Sequence, residues 1–391
     1  MDRIRNPFNP SAGAPPPLLV GRDRQLEDME VAIGRLSHGR FERSQLLTGL
    51  RGVGKTVLLT KFREEAQRAN WHDAHIEATE GIDMATAVAI VARRLLLKMS
   101  LLARSAQRAK RGLAVLASFV RVHVPVEDGT SLTIAATPLE GSADSGILDG
   151  DLGAVLTELG EAARQGDTGV LITIDELQYL SQEDLSALIV GLHQVSQAGL
   201  PVLVAGAGLP SLAGLAGEAR SYAERLFRYV EVGSLADDEA ARALEEPVRA
   251  EDASWAPEAL QVAVDSTGGY PFFIQAFGKQ AWDIAAGPEI TAADMVSATQ
   301  LAVDELDQGF FRARLDRTTD AERDYLRAMA SLGGTGPYRS GEVSRAMGKQ
   351  STSQTGPVRD NLIKRGLCWS PRHGEIDFTV PMFDDFIRRT I

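Results

Sequence analysis

Short apolar runs alternate with longer amphipathic stretches from about Arg22 to residue 235. The runs QLLTG (45–49), HIEAT (75–79), VLITID (170–175), PVLVAG (201–206) and YVEVG (229–233) are strand-like, and helical periodicity separates each from the next. Strands joined through helices run parallel, so this rhythm predicts a parallel sheet covered by helices. From 236 to 314 the period becomes helical throughout, in DDEAARALEEPV, APEALQVAVDS, PFFIQAFGKQAWDIA and TAADMVSATQLAVDEL. Asp237 or Asp238, Ala256-Pro257 and Thr291 stand where helix starts belong. Residues 315–391 read as three short helices followed by two strand-like runs, GLCWS and EIDFTV, joined by PRHG.

Two segments break the rhythm. Residues 1–17, MDRIRNPFNPSAGAPPP, are proline-rich and predict an extended or poorly ordered start. Between residues 104 and 150, FVRVHVPVEDGTSLTIAAT places two alternating runs around Asp128-Gly129. Asp-Gly supplies the positive φ angles of a tight turn, so the expectation is a hairpin inserted into the α/β domain. No role for this insertion follows from its residues.

A chain of 391 residues allows two or three domains. The only cysteine, Cys368, leaves no intrachain disulfide framework and suits a reducing compartment. No signal-peptide pattern opens the chain, and the best apolar run, AVAIVARRLLL, is broken by Arg93 and Arg94. The expectation is a soluble cytoplasmic protein with no membrane partner. The net charge of -12 excludes a polycation built to coat nucleic acid. Residues 316–391 nevertheless hold 12 basic and 10 acidic side chains, against 29 and 43 in the remainder. That mild asymmetry permits a nucleic-acid contact at the C-terminal end without demanding one.

The strongest local signal is GLRGVGKT, residues 49–56, which fits the phosphate-binding loop G-x-x-x-x-G-K-[ST]. An apolar strand delivers the loop, and glycines let the backbone curl until successive N–H groups face phosphate oxygens. The loop residues Gly49, Leu50, Arg51, Gly52, Val53 and Gly54, with Lys55, Thr56 and Val57 after them, are therefore candidate ATP or ADP contacts. Lys55 brings a cation to the β/γ-phosphates and Thr56 a hydroxyl to Mg²⁺. The helix starting there turns its positive end to the anion.

A second signal is VLITIDELQYL, residues 170–180, a buried strand that ends on a carboxylate. Asp175 in that place is a candidate Mg²⁺ ligand, direct or through water. Glu176 follows at the strand end and is the candidate general base that orients and deprotonates the attacking water.

With both motifs placed, the chain resembles the AAA+ and STAND branches of the P-loop ATPases. It looks most like bacterial and archaeal proteins similar to origin-recognition initiators. The resemblance covers nearly the whole chain and implies a P-loop α/β core (18–235), a helical lid (236–314) and a C-terminal winged helix (315–391). By the same likeness, PPPLLVGRDRQLEDM (15–29) places Leu19, Val20 and Gly21 at the adenine ring. TGGYPFFIQAFG (267–278) resembles the Gly-Gly-x-Pro turn of the lid, with Pro271 near the base. Arg225, and more weakly Arg228, fall where such proteins keep an arginine finger for a neighbouring subunit, which implies a homo-oligomer. A winged helix would carry Arg359, Lys364 and Arg365 on its third helix, and Arg372 with His373 on the wing, as DNA-phosphate contacts.

Two departures qualify this likeness. PVLVAG is followed by AGLPSL, without the asparagine or threonine that senses the γ-phosphate in AAA+ enzymes. The helix after the glycine turn offers only Lys279 where an arginine is common. Both favour slow hydrolysis of ATP to ADP and phosphate. Two function classes follow: an ATP-controlled protein acting on or with duplex DNA, or a STAND-like signalling or scaffold switch whose C-terminal domain contacts a partner protein.

Overall fold

The computed structural model describes residues 1–11, 13–125, 132, 134–334 and 336–391. Helix α1 (Asp23–Ser37) leads into β1 (Ser44–Thr48), and α2 (Lys55–Arg68) leads into β2 (His72–Glu77). Helices α3 (Met84–Ser100), α4 (Ala106–His123) and α5 (Leu148–Gln165) precede β3 (Val170–Asp175). After α6 (Gln182–Gln197) comes β4 (Val202–Gly208). Helices α7 (Leu212–Ala219) and α8 (Ala223–Leu226) then lead to β5 (Phe227–Glu231). The five strands are parallel in the order β2-β3-β4-β1-β5, so β1 and β3, which carry the two motifs, flank β4.

Each central strand is apolar on both faces, as a sheet covered twice requires. Leu47, Leu171 and Leu203 face one core with α1 and α2, while their neighbours Leu46, Ile172 and Val204 face the other with α3 to α6. The parallel α/β architecture is the one expected from the alternation.

The expected hairpin is corrected by α4. Its first arm, FVRVH (119–123), is the last turn and a half of that helix. Leu113, Leu116 and Phe119 are buried at helical spacing, whereas Val122 is 42% exposed, so the local alternation did not mark a sheet face. The Asp128-Gly129 turn lies outside the described residues, and residues 132 and 134–137 carry no strand.

The lid packs α9 (Asp237–Ala250), α10 (Pro257–Thr267), α11 (Pro271–Ile284) and α12 (Ala292–Glu305) into a bundle, with the short parallel pair β6 (Ser254–Trp255) and β7 (Glu289–Ile290). A π-helical turn, Leu306–Phe311, and α13 (Arg312–Leu315) join it to the C-terminal domain. There α14 (Asp320–Ser331), β8 (Tyr338–Arg339), α15 (Ser340–Ala346) and α16 (Gly356–Lys364) precede β9 (Cys368–Trp369), β10 (Glu375–Phe378) and α17 (Phe383–Thr390). The sheet is antiparallel, with β10 between β8 and β9. One apolar cluster runs from the sheet through the lid into this domain.

The N-terminal segment also departs from expectation. It is docked along α11 rather than poorly ordered. Phe8 is buried against Gly278, where a Cβ would come within 2.7 Å of its ring. The Asn6 side chain donates to the Lys279 carbonyl and to Asp283, and Trp282 Nε1 donates to the Asp2 carbonyl. A proline-rich segment is extended and loses little entropy on docking, so a few such anchors suffice.

Candidate nucleotide-binding site

The loop between β1 and α2 needs glycine at two places for different reasons. At Gly49 a Cβ would lie 2.1 Å from the Val232 carbonyl oxygen, because β5 exits directly beneath. Gly52 has φ +86°, and a Cβ there would press on Phe272 and the Tyr270 ring at 3.1–3.2 Å. The lid thus sits on the loop, and Phe272 N donates to the Gly52 carbonyl at 3.2 Å. That contact fixes the Gly268-Gly269-Tyr270-Pro271 turn against the β1–α2 loop.

Lys55 opens α2 and is 7% exposed. Its Nζ donates to the carbonyls of Gly49 (2.8 Å) and Leu50 (2.7 Å), folding the side chain over the loop. Burial lowers its pKa to about 8, against the opposing pull of Glu176 and Asp175. Thr56 Oγ1 donates to Asp175 Oδ2 at 2.6 Å, so the hydroxyl and the carboxylate meet across the β1–β3 gap. Asp175 Oδ1 accepts from Glu176 N at 2.8 Å. Two adjacent hard oxygens suit Mg²⁺, which takes few protein ligands and completes its shell with phosphate and water.

These groups line a cleft of about 280 Å³ between the core, the lid and the N-terminal segment. Leu19, Val20, Arg51, Gly52, Val53, Gly54, Val57 and Pro271 line it with Lys55, Thr56, Asp175 and Glu176. Gly49 and Leu50 lie at its base and contribute the carbonyls that hold Lys55. Gly21 is not a wall of the cleft; it takes φ +68°, and a Cβ there would strike the Glu239 carboxylate at 2.5 Å.

Further contributors come from outside the phosphate loop and the β3 end. Asn9, Ser11 and Gly13 of the N-terminal segment form one wall, and Asn9 N donates to the buried Gln275 Oε1 at 3.1 Å. A Cβ at Gly13 would lie 3.5 Å from Thr56 Cγ2, so the segment crosses from the lid to the start of α2. Arg22 is buried and its Nη2 donates to the carbonyls of Val53 (3.2 Å) and Gly233, which ties the loop to the exit of β5. Arg314 lies 3.6 Å above the Phe310 ring and donates to the Phe310 carbonyl at 2.8 Å. Burial lowers its pKa to about 10, Arg51 adds to the effect, and no acidic side chain pairs with it among the described residues. None of these was singled out as a site residue from the sequence; each reaches the cleft through long-range packing.

The sequence of residues 18–205 matches the AAA ATPase domain family. This chain carries an AAA ATPase domain. The activity of that domain is hydrolysis of ATP. Residues 308–387 match a second family, described as a domain of unknown function, DUF8462. No curated protein matches the sequence. Among solved structures, the Walker-type ATPase PABY2304 of Pyrococcus abyssi is similar over 95% of this chain and 96% of its own, at 17% identity and TM-score 0.56. The ADP form of the Aeropyrum pernix ORC2 protein is similar over 99% and 98%, at 16% identity and TM-score 0.53. These likenesses show a shared fold.

The remaining sequence candidates lie away from the cleft. Arg225, at the end of α8, is exposed and outside the ATPase domain's own cleft, while Arg228 pairs with Asp28 at 2.5 Å. Lys279 pairs with Asp283 at 2.7 Å. In the C-terminal domain Arg359 Nη2 donates to Ser370 Oγ (2.9 Å) and to the Glu375 carbonyl (3.3 Å). Arg365 faces the buried Glu322 at 3.3 Å; Lys364 and Arg372 are exposed. No helix among the described residues is long and apolar enough to cross a membrane.

Proposed function

We propose that the protein is a slow ATP-driven switch in which the AAA ATPase domain controls a C-terminal winged helix. The carrying observation is the contact between the two. Gly366, just past α16, takes φ +66° and lies so close to Arg51 that a Cβ would meet its guanidinium at 2.7 Å. Arg51 Nη2 in turn donates to Tyr179 OH at 2.8 Å and lies 3.8 Å from Glu176 Oε2. One loop side chain therefore touches the C-terminal domain and the candidate base together. The order α14-β8-α15-α16-β9-β10, with its antiparallel sheet, supports the winged-helix reading.

In this reading the loop amides and Lys55 hold the triphosphate, and Arg314 adds a cation from the lid side. Thr56 and Asp175 would hold Mg²⁺, which would supply charge neutralisation to the bound phosphates. Glu176 accepts the proton of the attacking water. Turnover lies at the slow end of the range of about 1–100 s⁻¹ quoted for kinases. The winged helix acts on or with duplex DNA through Lys364 and Arg372. The second reading, a STAND-like switch that binds a partner protein, is favoured by the internal engagement of Arg359 and Arg365. Arg225 completes the site of a neighbouring copy, so specific activity rises with protein concentration.

The test is ATP turnover, with and without duplex DNA, for wild type and Glu176→Gln. The variant is expected to bind ATP with unchanged affinity and to lose most turnover. Full turnover in Glu176→Gln would remove the base assignment.

A further inference from the structure

Strand β4 is buried along its whole length and carries Gly206 and Gly208 at its C-terminal end, where glycine weakens a strand and calls for a reason. The reason lies on the turn after β3. At Gly206 a Cβ would strike Leu177 Cδ1 at 2.2 Å, and at Gly208 it would lie 2.9 Å from Gln178 Oε1. The two glycines therefore open the end of β4 to admit Leu177 and Gln178.

Gln178 uses that space with both ends of its amide. Its Oε1 accepts from Leu209 N at 3.1 Å, the first residue past β4, and its Nε2 donates to Glu176 Oε2. Glu176 itself sits in the left-handed region at φ 55°. Leu209 N settles the amide's orientation: an N–H must meet the oxygen, which leaves the NH₂ for the carboxylate. The β4 end offers no side-chain hydroxyl or amide at this point, since the residues are Gly206, Ala207, Gly208 and Leu209.

We propose that Gln178 is a positioning residue for hydrolysis. It fixes one oxygen of the Glu176 carboxylate and leaves the other to take the proton of the attacking water. This rests on the reading of Glu176 as the base.

The experiment is single-turnover ATP hydrolysis and nucleotide binding by the full chain, in a double-mutant cycle of Gln178→Met and Glu176→Gln. Methionine keeps the length and bulk of the side chain without its hydrogen bonds. Gln178→Met is expected to slow hydrolysis about 10- to 100-fold, the scale of a misplaced catalytic group, with ATP affinity within about twofold of wild type. On the Glu176→Gln background the same change is expected to add no further loss, because Gln178 acts through the carboxylate. Wild-type or faster hydrolysis in Gln178→Met overturns the proposal, as does a loss that adds fully to that of Glu176→Gln. If Glu176→Gln alone hydrolyses normally, the base assignment has failed instead.

Discussion

Lys55 has two partners to choose between. Its ammonium is held by the Gly49 and Leu50 carbonyls, and burial brings its pKa to about 8. Bound phosphate oxygens would replace those carbonyls and favour the charged form. The sign of the linkage follows. Below pH 8 the free site already holds the proton and this group gives affinity no slope. Above pH 8 the free amine is neutral, so binding must take up a proton and ATP affinity falls by about tenfold per pH unit. Titration of ATP binding from pH 7 to 9.5 checks this, and Lys55→Ala should bind weakly with that slope removed. The loop and its lysine are legible in GLRGVGKT because the chemistry is local. Arg314 was not legible, since its place over Phe310 depends on the turn that folds the lid's end back to the cleft.

Among the elements, the N-terminal segment shows how composition misleads. Its prolines predicted an extended or poorly ordered start, yet Phe8 fills the notch that Gly278 leaves on α11 and the chain then crosses to Thr56. Truncating a buried Phe to Ala in a core costs about 3–5 kcal/mol. Here that is an upper bound, because the segment is free to leave the lid without unfolding it. Phe8→Ala is expected to raise amide hydrogen exchange over residues 6–14 and to speed ADP release, with the melting of the core little changed. Unchanged exchange would show that the polar anchors alone hold the segment. The same lesson applies to α4: FVRVH alternates locally, but burial of Leu113, Leu116 and Phe119 against α3 and α5 makes it helix.

For the whole molecule, the decisive feature is that lid, loop and C-terminal domain meet at Gly52 and Arg51. With Arg359 and Arg365 engaged internally, a DNA contact in this arrangement would use few cations, and its salt dependence should be shallow. A mobility assay of the full chain on duplex DNA at low salt checks the DNA reading. Binding that weakens with salt and falls in Lys364→Ala and Arg372→Ala supports it. No binding in the presence of either ATP or ADP would leave the partner-protein reading in its place.

The sequence by itself determined the parallel α/β core, the phosphate loop and the Asp175-Glu176 pair. Strand rhythm and cradle chemistry are written in residues close together in the chain. The tertiary structure alone decided which distant side chains share the cleft: Asn9, Arg22, Gln275 and Arg314, with Gln178 clamped between two strand ends. Those contacts depend on how whole elements pack, and the spacing of residues along one element carries no record of that.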